Sequence, residues 1–232
     1  MKLKHISHLI TGSVMELFGV MADGKVVNSY ELTNKRGAKL KVINYGATVT
    51  SLKIPLKSGE MVDVVLGFDT LENYINSFDL ESAPYLGATV GRYAGRINNA
   101  TFNLNGEIIH LDKNNNGHSL HGGKDNFSKK VWEVKNVNEG CSPSITFGYL
   151  SPANEGNYPG DLSVELTYTL SENNELIIEY NAQTTEDTVL NLTHHSYFNL
   201  DGHQHAVTQQ ELFVNADRVI EKNHQNIPTG RV

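Results

Sequence analysis

A chain of 232 residues with 39% hydrophobic content is long enough to bury a sizeable core, and residues 1 to 232 read as one domain. Its 19 Lys and Arg against 26 Asp and Glu leave a net charge of -7 with the signs interspersed, which argues against a nucleic-acid footprint or a polybasic membrane patch and favours a neutral small molecule. A single cysteine, Cys141, excludes an intrachain disulfide, a CxxC metal clip and a redox pair, and points to a reducing, cytoplasmic compartment.

The N-terminal MKLKHISHLITGSVMELFGV starts basic, but His5, His8 and Thr11 interrupt its apolar residues, so neither a signal peptide nor a membrane helix is expected there. Strand patterns follow. KLKVINY, TVTSLKI, DVVLGF, TFNLNG and SITFGYL are each bounded by Gly, Asn, Pro or Ser. The segment LENYINSF is the best short helix candidate. In DLSVELTYTL, Leu162, Val164, Leu166, Tyr168 and Leu170 alternate with polar residues. SENN then turns the chain into ELIIEY, where Leu176, Ile178 and Tyr180 alternate again, so an antiparallel hairpin is predicted. Many short strands, twenty glycines and no repeat or linker define an all-β chain, a sandwich or barrel.

Three polar clusters stand out. In GATVGRYAGRINNATF, residues 87 to 102, Arg92 and Arg96 sit among glycines that let backbone approach a ligand, and a guanidinium fork suits hydroxyls or carboxylates. A turn with two surface arginines fits equally well, and the string lacks the lysine and Ser/Thr of a phosphate loop. In NNNGHSLHGG, residues 114 to 123, Gly122 and Gly123 make a bend that presents His121, with His118 nearby; a solvated loop histidine is the plainer reading. In NLTHHSYFNL, residues 191 to 200, strand alternation puts His195, Tyr197 and Asn199 on one face and His194, Ser196 and Phe198 on the other. A metal site built with His203 and His205 is disfavoured, since no carboxylate or thiolate lies at a ligand spacing and the adjacent pair faces opposite ways. No GxSxG elbow accompanies Ser196.

Taken together, INYGATVTSLKIP, DVVLGFDTLENY, YLGATVGRYAGRI, SLHGG, EGNYPGDLSVELTYTL, NLTHHSYFNL and IPTG resemble, in order and over nearly the whole chain, the aldose 1-epimerases or galactose mutarotases. The resemblance implies a large antiparallel β-sandwich, of the mutarotase supersandwich kind, that binds a free monosaccharide with no metal or organic cofactor. It implies interconversion of the α and β anomers of an aldohexose such as galactose or glucose by acid/base ring opening. It makes His195 the general acid, has His121 assist at the ring oxygen, and places Arg96 at a sugar hydroxyl. All three would contact substrate.

Three departures qualify the resemblance. Gly95 stands where many relatives carry asparagine, and His194 where many also carry asparagine, the latter on the face turned from the site. The chain ends at IPTGRV, whereas the family continues with a segment that carries a sugar-binding aspartate and the general-base glutamate. The expectation is therefore a C-terminally incomplete, weakly active or inactive form, with Glu155 or Glu211 as fallback bases. The alternative is a catalytically impaired sugar-binding or structural module, and uncovered sandwich edges would favour self-association.

Overall fold

The computed structural model describes residues 13–232, so the N-terminal stretch carrying His5, His8 and Thr11 lies outside the described residues. The first sheet is an antiparallel meander of β1 (Ser13–Val20), β2 (Val26–Thr33), β3 (Lys39–Ile43), β4 (Thr48–Pro55) and β5 (Met61–Asp63), hydrogen-bonded in that order. KLKVINY and TVTSLKI thus form strands, while DVVLGF pairs regularly only at its start, in β5. LENYINSF forms α1 (Leu71–Ser77). Thr70 caps it by accepting from the Asn73 amide at 3.2 Å, and Leu71 and Tyr74 pack against Val27, Ile43 and Tyr45.

Short strands come next, in the stretch that builds the site. They are β6 (Thr89–Val90), β7 (Arg96–Ile97), β8 (Thr101–Leu104), β9 (Glu107–His110) and β10 (Ser119–Leu120). The second large sheet follows, in the order β11 (Glu133–Asn138), β12 (Ser144–Ser151), β13 (Leu162–Leu170) and β14 (Leu176–Thr184). The predicted hairpin is β13 with β14, in register from Leu162 opposite Thr184 to Leu170 opposite Leu176. A last short strand, β15 (Thr193–His194), pairs with β6.

Alternation explains why the two large sheets face each other. Leu162, Val164, Leu166, Tyr168 and Leu170 are all buried on one side of β13, and they join Ile145 and Phe147 of β12 in a single cluster with Leu32, Leu40, Val42 and Val49 of the first sheet. The Tyr168 hydroxyl crosses the interface to donate to the Ala47 carbonyl at 2.7 Å, so the buried phenol is satisfied rather than stranded. Each aliphatic side chain in that layer stabilises by about 1.5–3 kcal/mol relative to exposure. Among the described residues no helix is long and apolar enough to cross a membrane.

Candidate active site

The site is built on the strip from Gly87 to Arg96, which offers hydrogen bonds on both edges. On one edge the His195 amide donates to the Ala88 carbonyl at 3.0 Å and the Gly87 amide donates to the His195 carbonyl at 3.1 Å. On the other, the His121 amide donates to the Gly95 carbonyl at 3.0 Å, beside the pairing of β7 with β10. The two histidines come from positions 74 residues apart by number, yet their ring centroids lie 5.3 Å apart at 84°. Two glycines permit this approach. A Cβ on Gly87 would stand 1.9 Å from the Val49 carbonyl oxygen, and one on Gly122 would stand 2.0 Å from that of Gly91. Gly122, directly after His121, therefore lets the loop close on the strip.

A cavity of about 620 Å³ opens over these rings, lined by Arg96, His121 and His195 together with Tyr85, Tyr197 and Glu81. All three residues expected at the site from sequence are thus brought to one wall. The Arg96 Nε donates to Asn115 Oδ1 at 3.0 Å, which fixes the guanidinium plane and leaves its two terminal nitrogens without a partner among the described residues. The Gly95 amide donates to His121 Nδ1 at 3.1 Å, so the neutral ring carries its proton on Nε2. Nothing lies within 4 Å of where a Gly95 Cβ would stand, but its φ of 86° is one that a side chain there would strain.

Burial sets the charge state. His121 is pushed down to about 4, first by burial and then by the neighbouring His195 and Arg96, and burial likewise holds His195 below its usual value. The unliganded rings are therefore largely neutral at pH 7.

Several of the readings the sequence allows fail for definite reasons. Arg92 is neither a ligand donor nor a surface arginine: it is 2% exposed, its Nε donates to Ser151 Oγ and its terminal nitrogens donate to the carbonyls of Ser151, Pro152 and Pro159, all at 2.9–3.0 Å. Glu155, a fallback base, is held by Lys130, Tyr149 and Ser151 in the same internal network and does not line the cavity; nor does the exposed Glu211. His118 is not a solvated loop residue but is buried, with its Nδ1 accepting from the Asn99 amide.

NLTHHSYFNL is not one regular strand. Its first half pairs with β6 and its second half lies on residues 64–66 through Leu66 to Tyr197, Val65 to Phe198 and Asn199 to Val64 contacts, so the ladder breaks between them. The alternation still sends His195 and Tyr197 to the cavity and His194 the other way. There His194 Nδ1 donates to the Tyr168 oxygen at 3.3 Å and its Nε2 accepts from Ser196 at 2.6 Å. Asn199 escapes the pattern: it is buried, donating to the His205 carbonyl and accepting from Gln210. Sequence reasoning missed Tyr85 and Glu81 as wall residues, and the only signal was the turn-like SAPYLG that leads into the glycine-rich strip.

Comparison with known proteins agrees with this architecture. The sequence pattern of the aldose 1-epimerase family matches residues 28–232. Human galactose mutarotase is 38% identical over 218 residues, covering 93% of this chain and 60% of the human protein, and the Haemophilus influenzae aldose 1-epimerase is 36% identical over 214 residues. The crystal structure of the aldose epimerase homologue from C. elegans superposes with a TM-score of 0.76 at 36% identity, covering 87% of this chain and 59% of that one. The fold is the antiparallel mutarotase-like β-sandwich, and the chain belongs to the aldose 1-epimerase family. It spans about 60% of the length of the curated relatives it matches.

One prediction follows from the buried imidazoles. His121 and His194 are both lowered to about 4, by burial first, whereas the unfolded chain protonates near 6.5, so between these values the unfolded state binds more protons. Stability is therefore fully present above pH 6.5 and falls as the pH is lowered through the folded values. Urea unfolding at pH 6.5 and pH 5, where ordinary carboxylates stay largely ionised, should show a loss of about 1–2 kcal/mol per histidine, reduced in His194→Asn. Equal stability at the two pH values would contradict this.

Proposed function

We propose that the cavity is the sugar site of an aldose 1-epimerase and that its residues open the ring of a free aldohexose. The observation that carries the reading is the pair of imidazoles, His195 and His121, with ring centroids 5.3 Å apart, beside an arginine whose two terminal nitrogens have no partner among the described residues. Anomer exchange needs a proton delivered to the ring oxygen as another passes from the anomeric hydroxyl to water; the ring opens, the aldehyde carbon rotates, and reclosure, with both protons returned, gives the other anomer. His195 is the general acid in this reading. Lowering its pKa makes its protonated form scarcer but a stronger acid, and the ring-opened sugar needs only a brief transfer. His121, with its proton on Nε2, donates a hydrogen bond to the ring oxygen, and Arg96 donates to a hydroxyl. The relatives' names, galactose mutarotase and aldose 1-epimerase, support galactose or a similar aldose as substrate. No metal or organic cofactor is assigned a step.

The test is polarimetry on freshly dissolved α-galactose, in a protein of the relatives' length carrying this chain. His195→Asn should lower kcat by roughly 100-fold or more with a smaller change in KM, and Arg96→Ala should weaken binding by about 1–3 kcal/mol. Near-normal turnover in His195→Asn would remove that residue from the mechanism.

We further propose that the chain self-associates, supported by Leu212, Phe213 and Val219, which are 89%, 87% and 80% exposed. Sedimentation showing only monomer at tens of micromolar would contradict this.

A further inference from the structure

We propose that Tyr85 is the positioning residue of this site: its ring is the wedge that fixes the separation of His121 and His195 and shields both from water. The proposal rests on the reading of those two histidines as the sugar-facing pair.

Three geometric facts converge on Tyr85. Its ring centroid lies 5.0 Å from that of His121, nearly edge-on at 67°, and 5.8 Å from that of His195, so one side chain touches both imidazoles. The Phe78 ring also packs on it, at 5.2 Å and 75°, and the Asn126 side chain lies near its hydroxyl. Tyr85 is 7% exposed although it lines an open cavity.

The backbone of Tyr85 adds a fourth. Tyr85 holds φ of 52°, in the left-handed region that a bulky side chain rarely adopts. Such a conformation persists only where the surroundings over-determine it, and it concentrates at functional sites. Here the surroundings are identifiable. The Ala88 amide donates to the Tyr85 carbonyl at 3.1 Å, closing a tight turn, and Gly87 within that turn is pressed against the Val49 carbonyl of the first sheet. A turn fixed this firmly aims the ring without relying on side-chain packing alone. His121 shares the left-handed geometry, with φ of 54°. Burial lowers the titration of both histidines, and the Tyr85 ring is a large apolar surface in contact with each of them.

The test uses NMR titration of the His121 and His195 ring protons in the 232-residue chain, alongside polarimetry in the longer form. Tyr85→Gly removes the ring while suiting the backbone, since glycine adopts positive φ without strain. Opening the rings to water should raise the His121 and His195 midpoints, by about one pH unit for the more buried His121. Loss of the fixed separation should cut kcat by about tenfold or more with a lesser effect on KM. Tyr85→Phe, which keeps the ring, should restore both midpoints. Glu81, Arg96, Lys113, Lys124 and Lys129, the charged groups lining the cavity, are untouched in each variant. Unchanged midpoints in a folded Tyr85→Gly chain would overturn the proposal. If that variant does not fold, cross-relaxation between the Tyr85 and both histidine rings in the unsubstituted chain decides: its presence supports the wedge and its absence overturns it. Because the NMR arm needs no turnover, shifted midpoints without any catalysis in the longer form would leave the wedge standing and discard the enzymatic reading instead.

Discussion

The site depends on one strip of backbone whose two edges are both occupied. Between Gly87 and Arg96, carbonyls and amides pair with the His195 segment on one side and with the His121 loop on the other. Neither histidine lies within a regular strand, since His195 directly follows β15 and His121 directly follows β10, each only two residues long. Short ladders of this kind do not persist by themselves, so the strip has to be rigid before the imidazoles can be placed.

Rigidity comes from burial on the strip's far side. Arg92 spends its guanidinium on one hydroxyl and three carbonyls of the 151–159 segment, and Ser151 passes the connection to Glu155, which Lys130 and Tyr149 also hold. A buried arginine is costly unless its donors are used, and here its Nε and both terminal nitrogens each donate. The Ser128 hydroxyl adds a contact to the Thr89 carbonyl at 2.8 Å. His194 ties the same region to the main core through Tyr168, whose hydroxyl in turn reaches the first sheet. The cavity-facing side is therefore free to keep uncommitted groups, because the satisfied ones lie beneath it.

Much of this was legible from the sequence, and the failures have physical causes. The β13 to β14 hairpin, α1 and the strands around Val42, Val49 and Phe147 follow from alternation and turn residues, which are local signals. His121, Arg96 and His195 were found because glycine-rich or polar strings set them off, and the resemblance assigned their roles. Arg92 was misread because an arginine's neighbours in sequence say nothing about the carbonyls of residues 151–159 that consume its donors. Asn199 was misplaced because alternation assumes one continuous strand, and NLTHHSYFNL changes partners midway. Tyr85 was overlooked because its importance lies in a left-handed turn and in contacts with two residues far away in number, neither of which leaves a periodic trace.

Whether this strip assembles a sugar site at the two imidazoles is decided by a crystal structure with galactose bound, in a protein of the relatives' length carrying this chain. The sugar should lie in the cavity, with its ring oxygen about 3 Å from a His195 or His121 nitrogen and a hydroxyl on Arg96. Galactose bound elsewhere on the molecule, with both imidazoles out of hydrogen-bond reach of the ring oxygen, would contradict this.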